Sequence, residues 1–118
     1  MNVSTKATIV LKDCADNSVI IDVVKGVSDR DHFTYKDKES NLIEVLIYKD
    51  GLVLNKNTDD YLLELHLKDR NYTRIVSGEG EIVLNTKVLA FTRNDDIVFI
   101  SYSIEDNQKT LEIKYTEE

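Results

Sequence analysis

The residues best suited to hold a ligand are Tyr72 and Arg74, on one short segment, with Tyr35 and Tyr102 elsewhere in the chain. A guanidinium taken out of water needs charge-assisted partners, so an arginine among tyrosine hydroxyls is a plausible grip on a carboxylate. On a strand, Tyr72, Arg74 and Val76 share one face, while Thr73 and Ile75 share the other. If the first set faces a protein interior, Arg74 lines it and would pair with the head of an amphipathic carboxylate. If the second set does, Arg74 is a surface cation within reach of Glu79 or Glu81.

The remaining chemistry-bearing residues form no working set. Asn55, Asn57 and Asp59 have the alternating spacing of a calcium loop, but Asp60 stands where glycine must turn the chain and His66 where a bidentate glutamate must close it. No metal site is expected. His66 shares a face with Glu64 and Lys68 and reads as a solvated residue. His32, between Asp31 and Phe33, has no evident partner. Gly78-Glu79-Gly80 lacks the third glycine of a dinucleotide fingerprint, since Val83 takes that place, and reads as a bulge or turn before a long strand. There is no His-Glu-x-x-His, paired cysteine, P-loop or Gly-x-Ser-x-Gly elbow. With no nucleophile to pair with a base, the expectation is a protein that is not an enzyme and carries no cofactor.

Composition narrows the partners. The net charge is −7, with the basic residues interleaved among acids, which argues against nucleic acid because phosphate binding rests on clustered Lys and Arg. The single cysteine, Cys14, has no internal partner, as fits a reducing compartment. No stretch approaches the roughly 20 apolar residues that span a membrane, and the first twelve residues do not resemble a secretion signal. The expected setting is cytoplasmic, away from membranes, and oligomeric state is left open. At 118 residues, 42% hydrophobic and 31% charged, the chain reads as one globular domain spanning residues 1–118.

The elements that must position these residues are strands. Tyr61, Leu63, Leu65 and Leu67 alternate with Leu62, Glu64, His66 and Lys68, and Leu111 and Ile113 alternate with Glu112 and Lys114. A period of two puts successive side chains on opposite faces of a half-buried strand. Further strands are expected over 6–12, 19–24, 32–36, 42–48, 52–54, 72–76, 82–91 and 97–104. Residues 61–68 are also the best helical window, since Leu and Glu favour helices, but alternation outweighs propensity. Residues 19–24 are apolar almost throughout and rich in β-branched side chains, as in a strand covered on both faces. Asp50-Gly51 signals a hairpin in which glycine supplies a positive φ. Nine or ten short strands joined by polar turns read as a sandwich or barrel, and closure removes the exposed edges.

Ile43-Glu44-Val45, Gly51-Leu52-Val53-Leu54, Gly78-Glu79-Gly80-Glu81-Ile82 and Ile100-Ser101-Tyr102-Ser103-Ile104, with Gly26 and the Tyr35 strand, resemble in layout the YwiB-like family of small bacterial proteins. That resemblance spans most of the chain. It implies an all-β, antiparallel up-and-down barrel of about 8–10 strands, similar to the calycins and lipocalins, and brings no particular reaction. The family's arginine and glycine after the central hairpin are replaced by Lys56 and Asn57, so no role for that arginine carries over. The Gly-x-Trp cluster of true lipocalins is absent, because there is no tryptophan. Two readings follow: a barrel admitting one small amphipathic or apolar ligand, with Arg74, Tyr72, Tyr35 and Tyr102 as its contacts, or a filled barrel acting through its surface in assembly.

Overall fold

The computed structural model describes residues 3–28 and 31–117. Ten strands follow in order: β1 (Val3–Asp13), β2 (Ser18–Ser28), β3 (His32–Lys36), β4 (Leu42–Ile47), β5 (Leu52–Asn57), β6 (Tyr61–Lys68), β7 (Arg70–Ser77), β8 (Gly80–Arg93), β9 (Ile97–Ile104) and β10 (Asn107–Glu117). Each pairs antiparallel with its sequence neighbours, and β1 pairs with β10 to close the barrel. The all-β, up-and-down barrel expected from the strand pattern together with the family resemblance is the architecture found. The helical window at 61–68 is a strand, because β5 and β7 pair on either side of it along its length.

Turn chemistry explains how so short a chain makes so many reversals without proline. Asn17, Ser40, Asp69 and Glu105 all adopt positive φ at turns. Asp13 and Asp37 accept backbone N–H bonds from residues ahead of them, at 3.0 Å from Ala15 and 2.9 Å from Glu39 and Asn41. The turn after β4 forms where expected but for a different reason. Gly51 does not take a positive φ; it lies so close to the Leu67 carbonyl that any Cβ would collide with it. Gly78 and Gly80 make the β7–β8 turn, with Gly80 at φ 132°.

The two ends of the barrel differ. The ends of β3, β4, β5, β6 and β9 near the 48–51 turn point Phe33, Val45, Leu52, Leu67, Val98 and Ile100 inward, each no more than 1% exposed. Gly26 lets the Phe33 ring and the Thr34 carbonyl approach the β2 backbone, which draws this end shut. At the opposite end, bounded by the 14–17, 37–41, 58–60 and 105–106 turns, the interior is open. Ladder pairing also loosens towards that end on β2: β3 registers only against Gly26–Ser28, so residues 18–24 are laddered on the β1 side alone. Strand β8 divides likewise, pairing with β7 over 80–85 and with β9 over 86–93, with a register shift between Val88 and Ala90.

One expectation of the sequence is overturned on β2. Its apolar run is not covered on both faces: Val19, Ile21 and Val23 point outward and are 50–59% exposed. Pairing with β1 sets the facing, since Leu11 opposite Ile20 and Ile9 opposite Asp22 place the even-numbered residues on the inner face, where Ile20 at the open end is itself 56% exposed.

Candidate functional site

The open end of the barrel is a cup with a cavity of about 380 Å³. Ligand pockets of small-molecule binders start at about 300 Å³, so this one is suited to a small occupant. Its wall is the inward row of each strand at that end. Ile9 and Leu11 on β1, Ile43 on β4, Leu54 on β5, Leu63 and Leu65 on β6, Ile104 on β9 and Leu111 on β10 make it mainly apolar. Thr73 on β7 also lines it, and its hydroxyl is satisfied by the Thr86 hydroxyl at 2.9 Å.

Above this apolar wall the inward rows end in charge. Following Leu11, the next inward residue of β1 is Asp13; following Leu54 on β5 it is Lys56; before Leu111 on β10 it is Lys109. Asp37 continues the row of Phe33 and Tyr35, and Asp22 lies in the row of Ile20 and Val24. Lys56 Nζ sits 3.5 Å from the Asp37 carboxylate, and Lys109 Nζ 2.8 Å from that of Asp13. Donation from Lys109 and from the Ala15 backbone holds the Asp13 carboxyl below its ordinary value. Partial burial works against the ionised form of Asp37, but hydrogen bonds from Asn41 and Glu39, with the charge of Lys56, outweigh it and hold its pKa down. Asp22 is paired differently: its partner is Lys38, 3.6 Å away on the 37–41 turn, with a side chain 82% exposed.

Tyr35 and Tyr102 stand between the apolar wall and this charged ring. They are 6% and 3% exposed, and both line the cavity. Among the described residues neither hydroxyl has a hydrogen-bond partner. Burial pushes the Tyr102 phenol up to about 12, with the charge of Asp13 adding to it. Burial also raises Tyr35, reinforced by the charges of Asp22 and Asp37. Both therefore present neutral hydroxyls to the cup under ordinary conditions.

The four ligand contacts expected from sequence separate into two pairs. Tyr35 and Tyr102 line the cup. Tyr72 and Arg74 do not: Thr73 and Ile75 take the inner face of β7, because Thr73 pairs with Leu65 and Ile75 with Leu63 across the β6 ladder. Arg74 lies outside, with Nε 3.0 Å from Glu81, which favours its charged form and raises its pKa. Tyr72 stacks on His66 at 4.8 Å between ring centroids, and a hydrogen bond with Glu64 raises its phenol. His66 also contacts the Arg70 carbonyl through Nδ1 at 2.7 Å. His32, for which no partner was evident, meets Glu44 at 2.7 Å on the outer face.

Lys56, Lys109, Asp22 and Asp37 were not anticipated as site residues. A signal for them was present: Lys56 and Lys109 fall on the inward parity of their strands next to an apolar row, Asp37 continues the parity of Phe33 and Tyr35 just past β3, and Asp22 interrupts the row of Ile20 and Val24. Among the described residues no group of three or more His, Cys, Asp or Glu is placed to hold a metal ion.

The solved structures contain a barrel of this kind. The chain matches the crystal structure of the ywiB protein from Bacillus subtilis over 99% of its own length and 92% of that protein, with a TM-score of 0.50 and 13% sequence identity. The fold is YwiB-like. At that identity the YwiB-like likeness extends to the path of the chain and not to side chains, so the cup's lining is argued from this molecule alone. No family model and no curated protein matches the chain. Among the described residues no helix is long and apolar enough to cross a membrane.

Proposed function

We propose that the protein binds one small amphipathic ligand, non-covalently and without chemical conversion, in the cup at the open end of the barrel. The observation that carries this reading is the cavity of about 380 Å³ beside Tyr35 and Tyr102, whose hydroxyls open onto it with no hydrogen-bond partner among the described residues. An apolar chamber with a few convergent polar groups is the usual build of a small-molecule site. The apolar body of the ligand sits among Ile43, Leu54, Leu63 and Ile104, and its polar end meets the ring of Asp22, Asp37, Lys56 and Lys109. Arg74, held by Glu81 on the outer face, takes no part.

The test is equilibrium titration with an apolar fluorescent probe, on the wild type and on Leu63→Trp, which fills the cup. Saturable binding at one site that the filled variant loses supports the reading. Binding that Leu63→Trp leaves unchanged, or none at all, removes it.

A second reading, a module acting in assembly through its outer surface, draws support from β2. Val19, Ile21 and Val23 are exposed there beside an edge laddered on one side. A second copy of this chain fits that edge: antiparallel pairing about Ile21 sets Val19 against Val23 of the second copy. Sedimentation over a concentration series distinguishes the readings. A dimer that Ile21→Lys dissolves supports assembly, and a monomer throughout removes it.

A further inference from the structure

The charges around the cup are not equivalent, and the difference bears on which head group it accepts. Lys56 and Lys109 are each answered by a carboxylate within the ring, Asp37 at 3.5 Å and Asp13 at 2.8 Å. Their side chains are only about a quarter exposed. An anionic head group would have to take one of these lysines from its partner and leave a half-buried carboxylate uncompensated. Asp22 differs: its side chain is 24% exposed, and its partner Lys38 reaches it from solvent. A pair with one member in water is weakly held, so a second cation can replace Lys38 with no change in local charge. Tyr35 lines the cup together with Asp22 and Asp37, and its hydroxyl, without a hydrogen-bond partner among the described residues, offers an acceptor to an N–H donor there.

We infer that the cup selects amphiphiles with a cationic head, an alkyl- or arylammonium, which displaces Lys38 at Asp22 and places its apolar body against Leu54, Leu63 and Ile104. This rests on the ligand-binding reading above and adds the sign of the ligand's charge. The lysine–aspartate pairs on either side then act as a closed rim that rejects carboxylates, and Tyr35 and Tyr102 complete the polar contacts.

Three probes with one tail separate head group from tail: decylammonium, decanol and decanoate, each titrated calorimetrically below its micelle concentration. On the wild type, decylammonium should bind about tenfold tighter than decanol, the worth of one charge-assisted contact, and decanoate should bind weaker than decanol. Asp22→Asn should bring decylammonium to the level of decanol while leaving decanol unchanged, which also shows that the variant's cup is intact. Lys38→Ala should tighten decylammonium by freeing its carboxylate. Decanoate binding tightest, or an ammonium preference that survives Asp22→Asn, overturns the inference and leaves the cup reading standing. If none of the three saturates on the wild type, the cup reading fails and this inference with it.

Discussion

The two ends of this barrel are built from the same alternating rows, yet one end is plugged and the other is a cup. At the plugged end the inward rows finish in large apolar residues, Phe33, Leu52, Leu67 and Val98, each no more than 1% exposed. Glycine at positions 26 and 51 removes the Cβ atoms that would hold neighbouring backbone and rings away. At the open end the inward rows of β1 and β5 finish in Asp13 and Lys56, and that of β10 carries Lys109 beyond Leu111; an ionised group does not enter a dry core without strong compensation. The rows therefore stop short of meeting, and a chamber is left beneath the charges. A change in the final inward residue of a few strands separates a filled end from a hollow one.

The comparison breaks first at the plugged end if it is wrong. Leu67→Ala should cost about 2–5 kcal/mol in denaturant unfolding, because it leaves a cavity in a filled region. Leu63→Ala, at a wall that already faces a cavity, should cost clearly less. Equal losses would mean that the two ends are equally filled. Gly51→Ala should follow at about 1–3 kcal/mol, since its Cβ meets the Leu67 carbonyl and one strand must shift.

Alkaline titration sharpens the contrast at the open end. Tyr35 and Tyr102 both have raised phenol pKa values, so each adds stability in full below the ordinary phenol value of about 10. That contribution fades as pH rises above this value and is lost on passing through the folded pKa, about 12 for Tyr102. Absorbance at the phenolate band should show Tyr35 and Tyr102 ionising late and together with alkaline unfolding. Tyr102→Phe should remove one of these late ionisations. The smallest effect belongs to Arg74→Ala, which should leave the denaturant midpoint nearly unchanged because the Glu81 pair is on the surface.

The strands were legible because alternation is local. The inward side of β6 and β10 followed from Leu63, Leu65, Leu111 and Ile113 with no knowledge of neighbours. The facing of β7 was not legible. Tyr72, Arg74 and Val76 are as acceptable inside as Thr73 and Ile75, and only register against Leu63 and Leu65 decides between them. The apolar run on β2 misled for a related reason: its outer residues are as bulky as its inner ones, so its pattern says nothing of exposure. Tyr35 and Tyr102 were picked out by residue type, but that Asp22, Lys56 and Lys109 line the same cup follows only from the barrel bringing the inward rows of separate strands together at one end. The turn at Gly51 was right in place and wrong in cause, because the Leu67 carbonyl that demands glycine is a tertiary neighbour.

The central claim is that binding belongs to the open end alone. Methyl-resolved NMR during titration with decylammonium tests it most directly, because isoleucine and leucine methyls mark both ends. The account predicts saturable shifts at Ile43, Leu54, Leu63 and Ile104, with Ile47, Leu52, Leu67 and Ile100 unmoved. Shifts concentrated on the second group, or none in either at the highest ligand concentration, would contradict it.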